Sequence, residues 1–113
     1  MTDCLFCRIV AGEVPATAVH QTGTTLAFRD VTPQAPTHVL VIPKEHFATA
    51  AELAHAAPQT MVQLWQVLSV VAEAEGLADG YRVVFNTGHD GGQTVPHVHA
   101  HLLGGRRMTW PPG

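Results

Sequence analysis

The spacing of hydrophobic positions alternates between the period of a strand and that of a helix along the chain. Alternating or continuous apolar runs predict five strands, over residues 17–21, 25–28, 37–42, 81–86 and 95–103. Helical spacing predicts a short helix between Cys4 and Gly12 and a long helix from Pro58 to Gly76. Residues 44–57 are compatible with a helix but weakly patterned. Short turns and an excess of strands predict an α+β fold, with the helices on one face of a five-stranded antiparallel sheet.

Composition and charge exclude several classes of protein. The 113 residues, 46% hydrophobic and 13% charged, predict one globular domain over residues 1–113. A net charge of −3 and a single basic doublet, Arg106-Arg107, argue against a nucleic-acid partner. We expect no membrane partner and a cytoplasmic location, because no apolar run reaches about 18 residues and the first residues lack a signal-peptide pattern. In a reducing compartment, Cys4 and Cys7 are expected to be thiols or metal ligands.

Three histidines alternate near the end of the chain, at His97, His99 and His101. On a strand they project from one face, with the middle ring about 7 Å from each outer ring and the outer rings about 13 Å apart. One phosphoryl group could therefore meet two of them. Packing alone would desolvate six ring nitrogens that all need partners, so the row indicates a functional site. Pro96 cannot donate to a ladder, so the strand begins there or lies at an edge on that side.

A candidate phosphate site precedes the row. It combines backbone N–H groups of a glycine loop with amide and hydroxyl donors, from Asn86, Gly91, Gly92, Gln93 and Thr94. A neutral imidazole, with an ordinary pKa of about 6.5, can attack phosphorus directly and give a phosphoramidate that water hydrolyses. The alternative for the glycines is a plain hairpin turn.

A second candidate site is the Cys-x-x-Cys pair, Cys4 and Cys7. With two histidines it would complete a tetrahedral Cys₂His₂ zinc site. His46 and His97 are the best candidates, because the row leaves one outer histidine away from the phosphate. The competing histidines are His20, His38, His55 and His89. The alternative is a pair of reduced, metal-free thiols.

The run 97–103 is similar to the His-φ-His-φ-His-φ-φ signature of the histidine-triad family. Segments 28–31, 33–38, 90–93 and 110–113 resemble the Hint branch of this family, so the resemblance covers nearly the whole chain. It implies a homodimer in which two five-stranded sheets join into a ten-stranded sheet. It also implies purine nucleotide ligands and the hydrolysis of nucleoside phosphoramidates.

The resemblance assigns roles at the phosphate. His99 matches the nucleophile that takes the nucleotidyl group, and His101 the residue that contacts the phosphate. Asn86 and Thr94 match phosphate-side positions, where Thr94 stands in place of the expected serine.

The first histidine of the row has two implied roles. The backbone carbonyl of His97 orients the nucleophilic ring. In members with an N-terminal Cys-x-x-Cys, the side chain at this position ligates a structural zinc ion together with Cys4, Cys7 and His46.

At the nucleoside end, Asp30 is expected to bind the ribose hydroxyls, since a carboxylate accepts from a diol. The base is expected between apolar side chains that would otherwise be assigned to the core, namely Phe6, Ile9, Phe28, Val31 and Leu40. Gly92 and Gln93 complete the predicted nucleotide-binding set. His38 matches a position beside the active site and is either a support for it or a core histidine. Trp110 resembles a residue that reaches toward the partner's active site.

Two other functions remain open. One is the cleavage of dinucleoside polyphosphates, although the tail 110–113 favours the Hint branch. The other is a nucleotide-binding or scaffolding module in which catalysis is incidental.

Overall fold

The computed structural model describes residues 3–113 and has an α+β fold. The helices are α1 (Leu5–Val10), α2 (Ala50–Ala56) and α3 (Pro58–Ala74), and the strands are β1 (Ala18–Gln21), β2 (Thr25–Arg29), β3 (Thr37–Pro43), β4 (Tyr81–Phe85) and β5 (Ala100–Gly104). The strands form one antiparallel sheet in the order β1-β2-β3-β5-β4. The predicted five-stranded antiparallel sheet is therefore confirmed. Within residues 3–113, no helix is long and apolar enough to cross a membrane.

The central strand β3 is buried along its whole length, which explains its continuous apolar sequence. Its Val39 and Val41 pair with Leu102 and Ala100 of β5 and share one face of the sheet. Helices α2 and α3 cover this face with the apolar side chains Leu53, Leu64, Leu68 and Val71. The helical spacing of apolar residues from Pro58 onward thus marks the side of α3 that packs against the sheet.

The opposite face of the sheet carries α1. Phe6 and the α1 N-cap Cys4 pack with Phe28, Leu40 and Ile42 in a separate cluster. The prediction that the helices share one face is therefore wrong for α1. Periodicity shows that a short helix has an apolar side, but it does not show which face of the sheet that side meets.

Helix α2 lies in the weakly patterned segment. Only Leu53 of this helix is buried, so it leaves little periodic signal. Its start is fixed by capping instead: the Thr49 hydroxyl accepts from the Glu52 N–H (3.2 Å), and the Glu52 carboxylate accepts from the Ala48 N–H (3.1 Å).

Strand β5 begins at Ala100, so the predicted strand over 95–103 is wrong in its first five residues. The N–H of His97 donates to the carbonyl of Val95 (2.8 Å), which closes a three-residue turn directly around Pro96. The N–H of Val98 donates to Phe47 rather than to a neighbouring strand. The three histidines therefore do not form a row on one strand.

Candidate active site and metal cluster

Four predicted metal ligands meet between α1, the end of β3 and the turn before β5. The ligand atoms of Cys4, Cys7, His46 and His97 all lie within 4.8 Å of one another. His97 Nδ1 is 3.4 Å from Cys4 Sγ, 3.5 Å from Cys7 Sγ and 3.2 Å from His46 Nδ1. Cys7 Sγ is 3.3 Å from His46 Nδ1. In the described part of the chain, the competing histidines lie outside this cluster, at His20, His38, His55 and His89.

The geometry of this cluster fits a tetrahedral metal ion. Zinc bonds of about 2.3 Å to sulfur and about 2.0 Å to nitrogen place neighbouring ligand atoms about 3.3–3.8 Å apart. The separations of 3.2–3.5 Å in the structure are close to this range. His97 Nε2 donates to the Pro43 carbonyl (2.8 Å), so its Nδ1 directs a lone pair toward the two sulfurs. The residues present therefore fit a zinc ion.

His99 is held in one tautomer by the backbone of His97. Its Nδ1 lies 2.8 Å from the His97 carbonyl, which can only accept, so the proton is on Nδ1 and Nε2 carries the lone pair. Phe6 packs edge-on against both rings, with centroid distances of 5.0 Å to His99 and 5.9 Å to His97. His97 thus contributes its side chain to the cluster of four candidate metal ligands and its carbonyl to the orientation of His99.

His101 follows on β5, with its ring centroid 4.9 Å from that of His99. This is shorter than the separation expected on a regular strand, because His99 precedes β5. Burial and the nearby imidazoles of His99 and His38 lower the pKa of His101 to about 4, against an opposing effect of Asp30. Its Nε2 is buried and has no hydrogen-bond partner within residues 3–113. Such an atom costs about 1–3 kcal/mol when it stays unpaired, so a ligand atom is expected there.

A pocket of about 410 Å³ opens above these two histidines, within the roughly 300–1,000 Å³ of small-molecule sites. Nine predicted site residues line it: Phe6, Ile9, Phe28, Asp30, Val31, Leu40, Thr94, His99 and His101. Lining residues that the sequence analysis missed include Leu5, Val14, Pro15, Ala16, Thr32 and Val95. Those at 14–16 lie in the irregular segment after α1, where neither periodicity nor a motif marks them.

Gly92 and Gln93 do not line this pocket. The Gln93 side chain donates to the carbonyls of Ala48 (2.7 Å) and Val95 (3.0 Å) and accepts from the Gly88 N–H (3.1 Å). The N–H of Gly92 donates to the His89 carbonyl (3.0 Å). Both residues therefore stabilise the loop through these groups, and their predicted part in nucleotide binding stays a prediction.

Two further loop residues have clear structural settings. A Cβ on Gly91 would clash with the backbone of Thr87, so this position requires glycine. Asn86 directly follows β4 and is half-buried, outside the pocket lining. Its predicted contact with phosphate stays a prediction.

Next to His101 lie two further polar residues, His38 and Asp30. One Asp30 oxygen accepts from the N–H (2.8 Å) and hydroxyl (3.2 Å) of Thr32, and the other lies 3.4 Å from His38 Nε2. His38 Nε2 is also 2.9 Å from His101 Nδ1. Burial lowers the pKa of His38, with Asp30 acting in the opposite direction. His38 is thus a direct neighbour of His101 rather than an isolated core residue.

The C-terminal tail leaves Trp110 82% exposed. Arg82 donates to the Thr109 carbonyl (2.8 Å) just before it. The expected contact of Trp110 with a partner subunit stays a prediction.

Comparisons with known proteins identify the family to which the chain belongs. Residues 11–108 match the HIT domain. A HIT family hydrolase from Legionella pneumophila superposes with a TM-score of 0.94 at 52% identity, covering 98% of this chain and all of that one. A 14 kDa zinc-binding protein of Zea mays is 49% identical over 96% of this chain and 87% of its own length. Adenylylsulfatase HINT1 of Arabidopsis thaliana is 44% identical over 96% and 76%. The chain belongs to the histidine-triad (HIT) family.

Proposed function

We propose that this protein hydrolyses purine nucleoside phosphoramidates through a covalent nucleotidyl intermediate on His99. The observation that carries the proposal is the pairing of two histidines at one pocket. His99 has its Nδ1 proton bound by the His97 carbonyl, which leaves Nε2 as a nucleophile. The ring of His101 lies beside that of His99, and its Nε2, which has no hydrogen-bond partner within residues 3–113, suits a phosphate oxygen.

In the proposed reaction, His99 Nε2 forms a bond to phosphorus while the P–N bond of the substrate breaks, and the leaving nitrogen takes a proton from solvent water. Positive charge develops on the imidazole, and the His97 carbonyl stabilises it through the Nδ1–H bond of 2.8 Å. Water then attacks phosphorus, the bond from phosphorus to His99 Nε2 breaks, and the attacking water gives a proton to the solvent, which releases the nucleoside monophosphate and restores His99.

The nucleoside is proposed to occupy the rest of the pocket. Phe6, Phe28 and Leu40 offer flat or apolar surfaces for the base, and all three are buried. The Asp30 carboxylate also lines the pocket and supplies acceptor oxygens for the ribose hydroxyls.

Zinc is proposed as a structural ion held by Cys4, Cys7, His46 and His97. Bound there, it would cross-link α1 to the end of β3 and to the turn before β5. Because Phe6 belongs to α1 and touches His99, the same cross-link would stabilise the wall of the pocket.

A homodimer is proposed to form through the β4 edge of the sheet. β4 is the terminal strand next to β5, so a second copy could extend the sheet through it. Trp65 and Tyr81 are 45% and 44% exposed, and Trp65 packs on Phe85 of β4 with a centroid distance of 6.2 Å. Light scattering on the purified protein should give twice the chain mass.

A second candidate substrate is adenylyl sulfate, since the Arabidopsis relative is named an adenylylsulfatase. Only the leaving group differs, so His99 would attack the same phosphorus. The test compares the turnover of adenosine 5′-phosphoramidate, adenylyl sulfate and a diadenosine polyphosphate by the same enzyme. Our proposal expects the highest kcat/KM for the phosphoramidate. Preference for either of the others would assign the protein to that substrate class.

A further inference from the structure

The backbone N–H of Gln34 points at the ring of His38, which contacts His101. The N–H of Gln34 lies 3.0 Å from His38 Nδ1 and donates to it. A ring nitrogen that accepts an N–H carries a lone pair, so the neutral His38 ring must hold its proton on Nε2. Because a main-chain N–H can only donate, this contact admits one tautomer.

The tautomer of His38 determines that of His101. His38 Nε2 lies 2.9 Å from His101 Nδ1, which is nearer than the 3.4 Å to the Asp30 carboxylate. The Nε2–H of His38 therefore donates to His101 Nδ1, and the proton of His101 is left on Nε2. This is the buried atom that has no partner within residues 3–113.

The same contacts argue against a metal ion among Asp30, His38 and His101, although their ligand atoms are close enough to hold one. A metal would need the lone pair of His38 Nε2. Since Nδ1 already accepts from Gln34, this would require a fully deprotonated imidazole. The three residues form a hydrogen-bond relay instead.

We propose that Gln34 is a positioning residue whose backbone N–H, acting through His38, makes His101 a fixed hydrogen-bond donor at Nε2. The inference rests on the proposed function in one respect: the acceptor is a phosphate oxygen of the nucleotide. His99 and His101 then present opposite groups to the phosphate, a lone pair and an N–H. Arg106 anchors Gln34 from the other side by donating to its carbonyl (3.2 Å).

The test deletes the N–H without removing a side chain of the site. Gln34→Pro lacks this donor, whereas Gln34→Ala keeps it. Nitrogen-15 NMR of the histidine rings should find His101 protonated on Nε2 in the unsubstituted protein and in Gln34→Ala, but mixed between both nitrogens in Gln34→Pro. AMP should bind Gln34→Pro about 10- to 100-fold more weakly than Gln34→Ala, because a charge-assisted hydrogen bond is lost. His101 protonated on Nδ1 in the unsubstituted protein, or equal AMP affinity of the two variants, would overturn the inference.

Two His38 variants test the same relay if the proline prevents folding. His38→Gln places an amide N–H₂ near the position of Nε2 and should keep His101 protonated on Nε2. His38→Leu offers no donor and should lose both this preference and the AMP affinity. A His38→Leu protein that keeps both would contradict the relay. The NMR result needs no turnover, so an enzyme with the expected tautomers but no phosphoramidate hydrolysis would refute only the proposed function.

Discussion

The buried ring of His101 makes the stability of the protein depend on pH. Burial, reinforced by the imidazoles of His99 and His38, lowers the pKa of His101 to about 4, whereas an imidazole in the unfolded chain titrates at about 6.5. Between these two values the unfolded chain binds a proton that the folded protein does not. The free energy of unfolding therefore falls as the pH drops below about 6.5, and this effect ends near pH 4.

The two pKa values give the size of the effect. At pH 5, His101 lowers the free energy of unfolding by about 2 kcal/mol relative to pH 7.5. Burial of His38 and His97 also lowers their pKa values, so these residues act in the same direction.

The assay is urea unfolding of the unsubstituted protein and of His101→Asn at pH 7.5 and 5.0. The asparagine does not titrate, and it keeps an oxygen near Nδ1 that can accept from His38. The variant loses ring packing at both pH values, and the titrating groups away from His101 are common to both proteins, so these contributions cancel in the difference. The unsubstituted protein should lose about 2 kcal/mol more than the variant between the two pH values. Equal losses in the two proteins would refute the assignment of His101 as a buried neutral imidazole.

Three other substitutions test separate parts of the structure. Cys7→Ser should reduce bound zinc from one equivalent to less than half an equivalent by metal analysis, because it removes a thiolate ligand; full retention would contradict the Cys₂His₂ site. Asp30→Asn should raise KM for a ribonucleoside phosphoramidate more than for its 2′,3′-dideoxy analogue, and an equal change would exclude ribose recognition by Asp30. Gln93→Met should lower the free energy of unfolding by about 1–3 kcal/mol in urea titration, since it removes three partly exposed hydrogen bonds to the backbone; a change below about 0.5 kcal/mol would refute the role of Gln93 in holding the loop.

The strands were predictable from sequence wherever burial leaves an unbroken pattern. β3 is buried on both faces and reads as a continuous apolar run. The start of β5 was not predictable in this way, because the alternation of residues 95–103 runs through a turn. The hydrogen bond from the His97 N–H to the Val95 carbonyl depends on local backbone geometry, and the one from the Val98 N–H to Phe47 depends on a distant segment. The alternation of apolar and polar residues reports neither of them.

The site was predictable in its residue types and less so in its contacts. The donor chemistry of Cys4, Cys7 and two histidines indicated a metal cluster, and the structure brings His46 and His97 to it. The Gln93 side chain donates a hydrogen bond to the carbonyl of Ala48, which lies 45 positions earlier in the chain. A pattern of neighbouring residues therefore cannot predict this contact. For the same reason, the partner of His101 on β3 emerges only from the pairing of β3 with β5.

The central claim is that His99 carries the nucleotidyl group during turnover. The direct test is to mix the enzyme with adenosine 5′-phosphoramidate, quench within the first turnover and map the adenylylated peptide by fragmentation mass spectrometry. We predict a single adduct on His99 and none in His99→Ala. An adduct on His97 or His101, or first-turnover hydrolysis by His99→Ala at the unsubstituted rate, would contradict it.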